Sequence, residues 1–310
     1  MKDPLVSIAC TTYNHENYIK NAIEGFLMQR TTFPLEIIIY DDASKDNTQQ
    51  IIREYSLIND NIITFLQKEN QWSKGKYGLI DYIFPIARGK YITLCEGDDY
   101  WTDPYKLQRQ VDFLEANPDY GLVCTDIQVV DENNIYIDWP PLIDVRKRYK
   151  NGYIFFDQFE GSTINTLTAC FRASLIEEVL SYKNFWYIVD FWLWLRISMK
   201  SKVKYLDYVS AHYRRHNGNF TSHENVKSYL FQKQINYAIW DNLVYYFNNR
   251  KNLPVKPIGV DLLKHSLRLV IKPFISFHDK LDLLPLIFRY SIFTPALILI
   301  YFKKFLNANS

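Results

Sequence analysis

Glycine is scarce in this chain, ten in 310 residues. No two glycines are separated by a single residue, which excludes the G-x-G-x-x-G turn that cradles a dinucleotide. Gly75-Lys76 and Gly89-Lys90 are each followed by tyrosine, so a P-loop, which needs Ser or Thr there, is excluded too. Any nucleotide held here is held without a glycine cradle. Cysteine is also sparse. Cys10, Cys95, Cys124 and Cys170 form no C-x-x-C pair, which argues against a zinc site and for reduced, buried thiols. Neither charge sign is in marked excess, with 36 Lys+Arg against 34 Asp+Glu, so the strongly basic footprint of a nucleic-acid binder is missing. Met1-Lys2-Asp3-Pro4 leads straight into an apolar run, without the pattern of a cleavable signal.

What is present is apolar and unevenly charged. Hydrophobic residues make up 48% of the chain and aromatics 16%, enough for a sizeable core. Residues 251–310 carry nine basic side chains against three acidic ones, a net of +6, which leaves −4 for the rest of a chain whose total is +2. Lys264, Arg268 and Lys272 fall on one helical stripe, with Leu263, Leu267 and Val270 elsewhere on the helix. This is the pattern of a basic amphipathic helix lying against an anionic membrane surface. The apolar stretch 283–302 is long enough to span a bilayer, but Pro285, Arg289 and Pro295 interrupt it.

The first hundred residues alternate in type. Apolar runs at Leu5–Cys10, Leu35–Tyr40, Ile62–Leu66 and Tyr91–Cys95 are expected to be buried strands. Between them, Ile19, Ala22, Ile23 and Phe26 recur at helical spacing, as do Ile51, Ile52 and Tyr55 behind a capping Asp46. Leu79–Ala87 is expected to be a helix as well. Strands separated by helices imply an α/β fold with parallel pairing and right-handed crossovers. Asp103-Pro104 signals the start of a further helix burying Leu107, Val111 and Leu114, and Gly121–Val130 a further strand. The pattern loosens over 131–165 and becomes mostly helical beyond 221.

Acidic residues gather at the carboxyl ends of two expected strands, where ligands of such sheets collect. Asp41-Asp42 follows one, and Glu96-Gly97-Asp98-Asp99 follows another. Adjacent carboxylates repel unless a cation or hydrogen-bond donor offsets them. Clusters of this kind suit Mg²⁺ or Mn²⁺, which also bind substrate phosphates. The plainer reading is that they cap the helices that follow.

Four blocks in this order resemble the family 2 glycosyltransferases of the GT-A fold. They are Pro4–Ile8 followed by Thr11-Thr12-Tyr13-Asn14-His15-Glu16, then Glu36–Thr48, then Ala87–Ile92, then Glu96–Trp101. The resemblance covers roughly residues 4–220. It implies a mostly parallel nucleotide-diphospho-sugar transferase fold with a helical C-terminal extension. On that fold, Thr11, Tyr13 and Asp42 hold the base of a nucleoside-diphosphate-sugar donor. Asp99 ligates a divalent metal (Mn²⁺ or Mg²⁺) together with His216. Asp98 contacts the ribose, or the ion through water, and Glu96 orients the pair. Asp190, a lone carboxylate in the aromatic stretch Trp186–Trp194, is the expected base that deprotonates the acceptor hydroxyl.

The chain departs from the family pattern at Asn70–Tyr77, where Lys74 or Lys76 is expected to reach the diphosphate. Arg214 and Arg215, flanking His216, also suit phosphate. No Q-x-x-R-W motif occurs, which favours single transfer over polymerisation. The resemblance divides the chain into a nucleotide-sugar half (1–130), an acceptor half (131–220) and a helical basic and apolar region (221–310). It implies an inverting transfer to a glycan or polyprenyl-linked acceptor at the cytoplasmic face of a membrane, as in bacterial surface-polysaccharide assembly. Two other classes fit parts of the pattern. A nucleotidyltransferase also needs strand-end acids, but normally brings a glycine-rich loop. A sugar- or lipid-binding module would use the same aromatics without chemistry.

Overall fold

The computed structural model of the chain describes residues 3–177, 189–219 and 229–254. They fall into two compact units. The first comprises residues up to 152, the stretch from 163, and 202–216; the second comprises 153–162, the helix before 201, and the part from 217.

The first unit is built on one sheet. Its strands are β1 (Val6–Thr12), β2 (Leu35–Asp41), β3 (Ile62–Leu66), β4 (Tyr91–Leu94), β5 (Tyr100–Trp101), β6 (Tyr120–Val130), β7 (Cys170–Arg172) and β8 (Lys202–Arg214). Their order across the sheet is β3-β2-β1-β4-β7-β6-β8-β5. Strands β1 to β4 pair in parallel, as their spacing predicts. Ile8, Ile37, Ile38 and Ile39 are fully buried, which is why these strands read as unbroken apolar runs rather than alternating ones. Each such side chain contributes about 1.5–3 kcal/mol through burial. Beyond β4 the sheet is mixed. β7 runs antiparallel to both β4 and β6, while β6 and β8 run parallel over a long, irregular register.

Helices α1 (Ile19–Leu27), α2 (Thr48–Ile58) and α3 (Lys106–Ala116) follow β1, β2 and β5, and α4 (Pro140–Lys147) lies within the loosely patterned stretch. Helix α3 buries Leu107, Val111 and Leu114 as expected, but it begins at Lys106, with Asp103 Oδ1 accepting the Tyr105 N–H at 3.0 Å. The helix expected at Leu79–Ala87 is shorter and wider. One π-type turn covers Gly78–Ile83. It lies against β2, and a Cβ on Gly78 would sit 2.5 Å from the Tyr40 ring.

A buried clip joins β1, β2 and the residues before β4. Ser7 Oγ donates to Glu36 Oε1 at 2.6 Å, the Arg88 N–H donates to the same oxygen at 2.7 Å, and the Arg88 guanidinium takes Oε2 at 2.7 and 2.9 Å. Gly89 N–H donates back to Ser7 Oγ at 2.8 Å, and a Cβ on Gly89 would lie 2.5 Å from the Ser7 nitrogen.

In the second unit, α5 (Val189–Lys200) packs against α6 (Tyr229–Asn249). Trp192 Nε1 donates to Asp241 at 2.8 Å and Arg196 Nε to Asn242 at 2.9 Å, with the Arg196 guanidinium 3.7 Å above the Tyr245 ring. All four cysteines are buried and free. Among the described residues no helix is long and apolar enough to cross a membrane. The basic amphipathic stretch and the apolar run 283–302 lie outside the described residues.

Candidate active site

The site is assembled at the carboxyl ends of β1, β2 and β4 and at the end of β8. Two of the sequence blocks interlock there. After β1 the chain turns through Asn14, which takes a left-handed φ of 55°. Asn14 N–H donates to Ser44 Oγ, and Lys45 N–H donates to Asn14 Oδ1, each at 2.8 Å. His15 N–H donates to Thr48 Oγ1 at 2.8 Å and Glu16 N–H to Asp46 Oδ2 at 3.0 Å. The Tyr-Asn-His-Glu turn is thus clamped onto the segment that opens α2, and His15 is carried inward.

There it meets Asp98 and His216. His216 Nε2 lies 3.1 Å from Asp98 Oδ2, and His15 Nε2 lies 3.9 Å from the same oxygen. One ligand atom from each of the three falls within 4.8 Å of the others. Tyr18 packs on His216 with ring centroids 4.7 Å apart. Burial works to raise the Asp98 carboxyl, but the His216 hydrogen bond and the charges of both histidines outweigh it, holding Asp98 below its ordinary range. Burial lowers His15, against the pull of Asp98.

Asp99 sits apart from this group. It is 3% exposed, and its Oδ1 accepts the backbone N–H of Arg214 at 2.7 Å. Burial, followed by the charges of Asp98 and Glu96, pushes its carboxyl well above the usual range. Of the acidic pair, Asp98 and not Asp99 faces the histidines. Arg214, read from sequence as a phosphate contact, is fully buried. Its guanidinium donates to the Asp98 carbonyl at 2.8 Å and to Asn134 Oδ1 at 2.7 Å, and lies 4.7 and 5.1 Å from the Tyr18 and Tyr100 rings.

The residues assigned to the donor base lie at or just beyond the carboxyl ends of β1 and β2. Thr11 faces Tyr40 in the β1–β2 register, and its carbonyl accepts the Gly97 N–H at 3.0 Å. Tyr13 follows β1 and is 39% exposed. Asp42 is nearly buried and its carboxylate is heavily engaged. Oδ1 accepts Tyr40 Oη at 2.8 Å and Gln71 N–H at 2.7 Å, while Oδ2 accepts Asn70 Nδ2 at 2.8 Å and Trp72 N–H at 3.1 Å. Asp41 does not cap α2, which begins at Thr48; its carboxylate accepts the Ser44 N–H at 2.9 Å and Gln49 Nε2 at 2.6 Å. Lys76 pairs with Asp81 at 3.2 Å, and Lys74 pairs with Glu69. Asp190 belongs to the second unit, in the first turn of α5, where its Oδ1 accepts the Phe191 N–H at 2.7 Å.

One residue of this arrangement carries no role in the sequence reading, and another carries a different one. His15 stands inside a quoted block, but nothing local marks it as a ligand. Arg214 shows its function only once β8 is laid beside the 96–101 loop.

The donor set fits a divalent cation. Two imidazole nitrogens and a carboxylate oxygen converge, and neither nitrogen of the His15 ring makes a hydrogen bond among the described residues.

The mixed sheet, parallel over β1 to β4, is the GT-A fold, and solved structures agree. The crystal structure of residues 1–349 of S. aureus TarS in complex with UDP-GlcNAc superposes with a TM-score of 0.61 at 17% identity, covering 98% of this chain and 79% of that one. The family model "Glycosyl transferase family 2" matches residues 7–180, and the chain belongs to that family. The Escherichia coli protein named UDP-Glc:alpha-D-GlcNAc-diphosphoundecaprenol beta-1,3-glucosyltransferase WfaP is 31% identical over 227 residues, 71% of this chain and 81% of that protein. An uncharacterized protein of Mycobacterium tuberculosis is 41% identical over 138 residues, 44% of this chain. The matched stretch spans only 39% of that relative's length.

Proposed function

We propose that the chain transfers a single sugar from a nucleoside-diphosphate sugar to a hydroxyl of a lipid-linked glycan, with inversion at the anomeric carbon. The observation that carries this reading is the convergence of Asp98 and His216 beside the donor-facing strand ends of a GT-A sheet. The names of the TarS complex and of WfaP support a nucleotide-sugar donor and a polyprenyl-diphosphate acceptor.

Residues 1–130 form the donor half and 131–220 the acceptor half. Tyr13 stacks on the base, Thr11 lies at its edge, and Asp42 exchanges one of its four donors for the imide N–H of the base. Lys76 leaves Asp81 to meet the diphosphate. Asp98 and His216 hold the divalent cation, with Asp99 behind them fixing the loop. The bound ion supplies charge neutralisation at the diphosphate as it departs. Asp190 takes the proton of the acceptor hydroxyl. The acceptor oxygen forms its bond to the anomeric carbon from the face opposite the diphosphate, the anomeric C–O bond breaks, and the electron pair leaves with the nucleoside diphosphate. The basic tail brings the enzyme to the membrane face where such acceptors reside.

The test is nucleoside-diphosphate release by the full chain, given a panel of UDP-, GDP- and dTDP-sugars with Mn²⁺ and a polyprenyl-diphosphate sugar acceptor. One donor should support release that requires the acceptor, and Asp190→Asn should lower turnover by about 10²–10⁴-fold without changing donor binding. Full activity of Asp190→Asn would remove that residue from its role. Full activity in excess EDTA would remove the cation.

A further inference from the structure

Of the three converging groups, Asp98, His216 and His15, the last is the one the family motif leaves without a role. Its imidazole is mostly enclosed, with a side-chain exposure of 16%. Nδ1 is buried and meets no hydrogen-bonding partner. Nε2 has Asp98 Oδ2 at 3.9 Å, beyond hydrogen-bond distance. One ring nitrogen of His15 lies within 4.8 Å of a ligand atom of Asp98 and of His216, so an ion placed among the three would meet its lone pair. The separation from Asp98 is one that two ligands of a single ion can share.

The ring is also held in place. Its backbone N–H is tied to Thr48 Oγ1 at 2.8 Å, and its ring centroid lies 6.0 Å from that of His216 and 6.2 Å from that of Tyr18. Asp99, the alternative third ligand, has its Oδ1 engaged by the Arg214 N–H at 2.7 Å and does not join the group of converging ligand atoms among the described residues.

We propose that His15 is a direct ligand of the cation, making the site a two-histidine, one-carboxylate set that favours Mn²⁺ and Co²⁺ over Mg²⁺. The inference rests on the cation reading above and specifies its ligand shell. Mg²⁺ seeks a nearly all-oxygen octahedron and gives up water reluctantly, so a second imidazole gains it little. Later divalent ions gain progressively from nitrogen donors, in the order Mn²⁺ < Co²⁺. The protein therefore discriminates through His15, while Asp98 and His216 supply the basic hold.

The experiment is metal binding to the full chain without substrates, comparing wild type, His15→Ala, His15→Gln and Asp98→Asn. Calorimetric titration with Mg²⁺, Mn²⁺ and Co²⁺ gives the affinities, and pulsed EPR of the Mn²⁺-loaded protein counts coupled imidazole nitrogens. In the wild type, Co²⁺ should bind more tightly than Mg²⁺, and two imidazoles should couple to Mn²⁺. Both His15 variants should lose about tenfold or more in Co²⁺ affinity and less than about threefold in Mg²⁺ affinity, with one imidazole remaining. Asp98→Asn should lose every ion. Unchanged Co²⁺ affinity and a single imidazole in wild type and His15 variants alike would overturn the role of His15 and leave the cation reading standing. Absence of any metal binding by the wild type would overturn both.

Discussion

Arg214 holds Asp99 and its neighbour from two directions at once. Its backbone N–H donates to the Asp99 carboxylate at 2.7 Å, and its guanidinium donates to the Asp98 carbonyl at 2.8 Å. The last residue of β8 therefore sets the position of the loop after β4, although 115 residues separate the two in sequence. The same guanidinium reaches Asn134 at 2.7 Å and Asn21 at 3.3 Å, so α1, the 131–134 turn and the acidic loop share one buried cation.

Replacing Arg214 with lysine keeps the charge and removes the planar fork that serves these acceptors together. The Arg214→Lys protein is expected to bind Mn²⁺ about 10–100-fold more weakly, as when a partner behind a metal ligand is lost. It should unfold with about 3 kcal/mol less stability because a buried charge loses its matched acceptors. Titration with Mn²⁺ and urea denaturation on the same preparation measure both effects. Weakened metal binding should persist at low urea, where circular dichroism reports an intact fold.

Asp42 is expected to act through the segment it orders as well as through the donor. Its carboxylate accepts the Gln71 and Trp72 N–H groups at 2.7 and 3.1 Å, so Asp42→Asn presents an amide N–H₂ to donors on one side. Donor binding, measured as thermal stabilisation by the matching nucleotide sugar, should fall by about tenfold or more. Hydrogen exchange at Gln71 and Trp72 should accelerate even without donor. Faster exchange with unaltered donor binding would assign Asp42 a purely structural role.

Lys106 gives the fold a pH dependence. It is fully buried under the sheet, with Nζ 2.9 Å from Gln110 Oε1, 3.3 Å from Thr93 Oγ1 and 4.2 Å from the centre of the Trp101 ring. Burial lowers its pKa from the ordinary 10.5 to about 8. Below about pH 8 the lysine is charged in both folded and unfolded chains, and the cost of burying that charge is borne in full. Between about pH 8 and pH 10.5 the unfolded chain keeps a proton that the folded chain has released, so stability rises with pH. Relative to Lys106→Met, which carries no such group, the wild type should gain about 2 kcal/mol between about pH 7.5 and pH 9.5. Urea midpoints of both proteins at the two pH values provide the check. A constant difference would mean that the lysine is not titrating in the core.

The residues of Glu36, Arg88 and Gly89 illustrate how a motif can be legible while its purpose is not. They stand in two of the blocks that resemble the family, yet they make the buried clip between β1, β2 and the approach to β4 rather than touch the site. Local chemistry marks them as unusual because a carboxylate in an otherwise apolar strand needs a partner. Only the parallel pairing of β1 with β2 brings Ser7 beside Glu36. His15 shows the converse, a ligand-type residue with an ordinary local context.

By itself the sequence determined the four parallel strands, the helices that follow the first two of them, the acidic strand ends and the family, because buried parallel strands and helical spacing are written in short-range apolar patterns. It also pointed to Asp98, Asp99 and His216 as neighbours of one site. Tertiary structure alone decided which carboxylate faces the histidines, that Arg214 is buried behind the pair, and that His15 completes the cluster. It also decided the mixed half of the sheet, where β7 runs antiparallel between β4 and β6 and β8 delivers His216. These relationships join residues about a hundred positions apart, and no local periodicity encodes the direction in which a side chain points once distant strands are placed side by side.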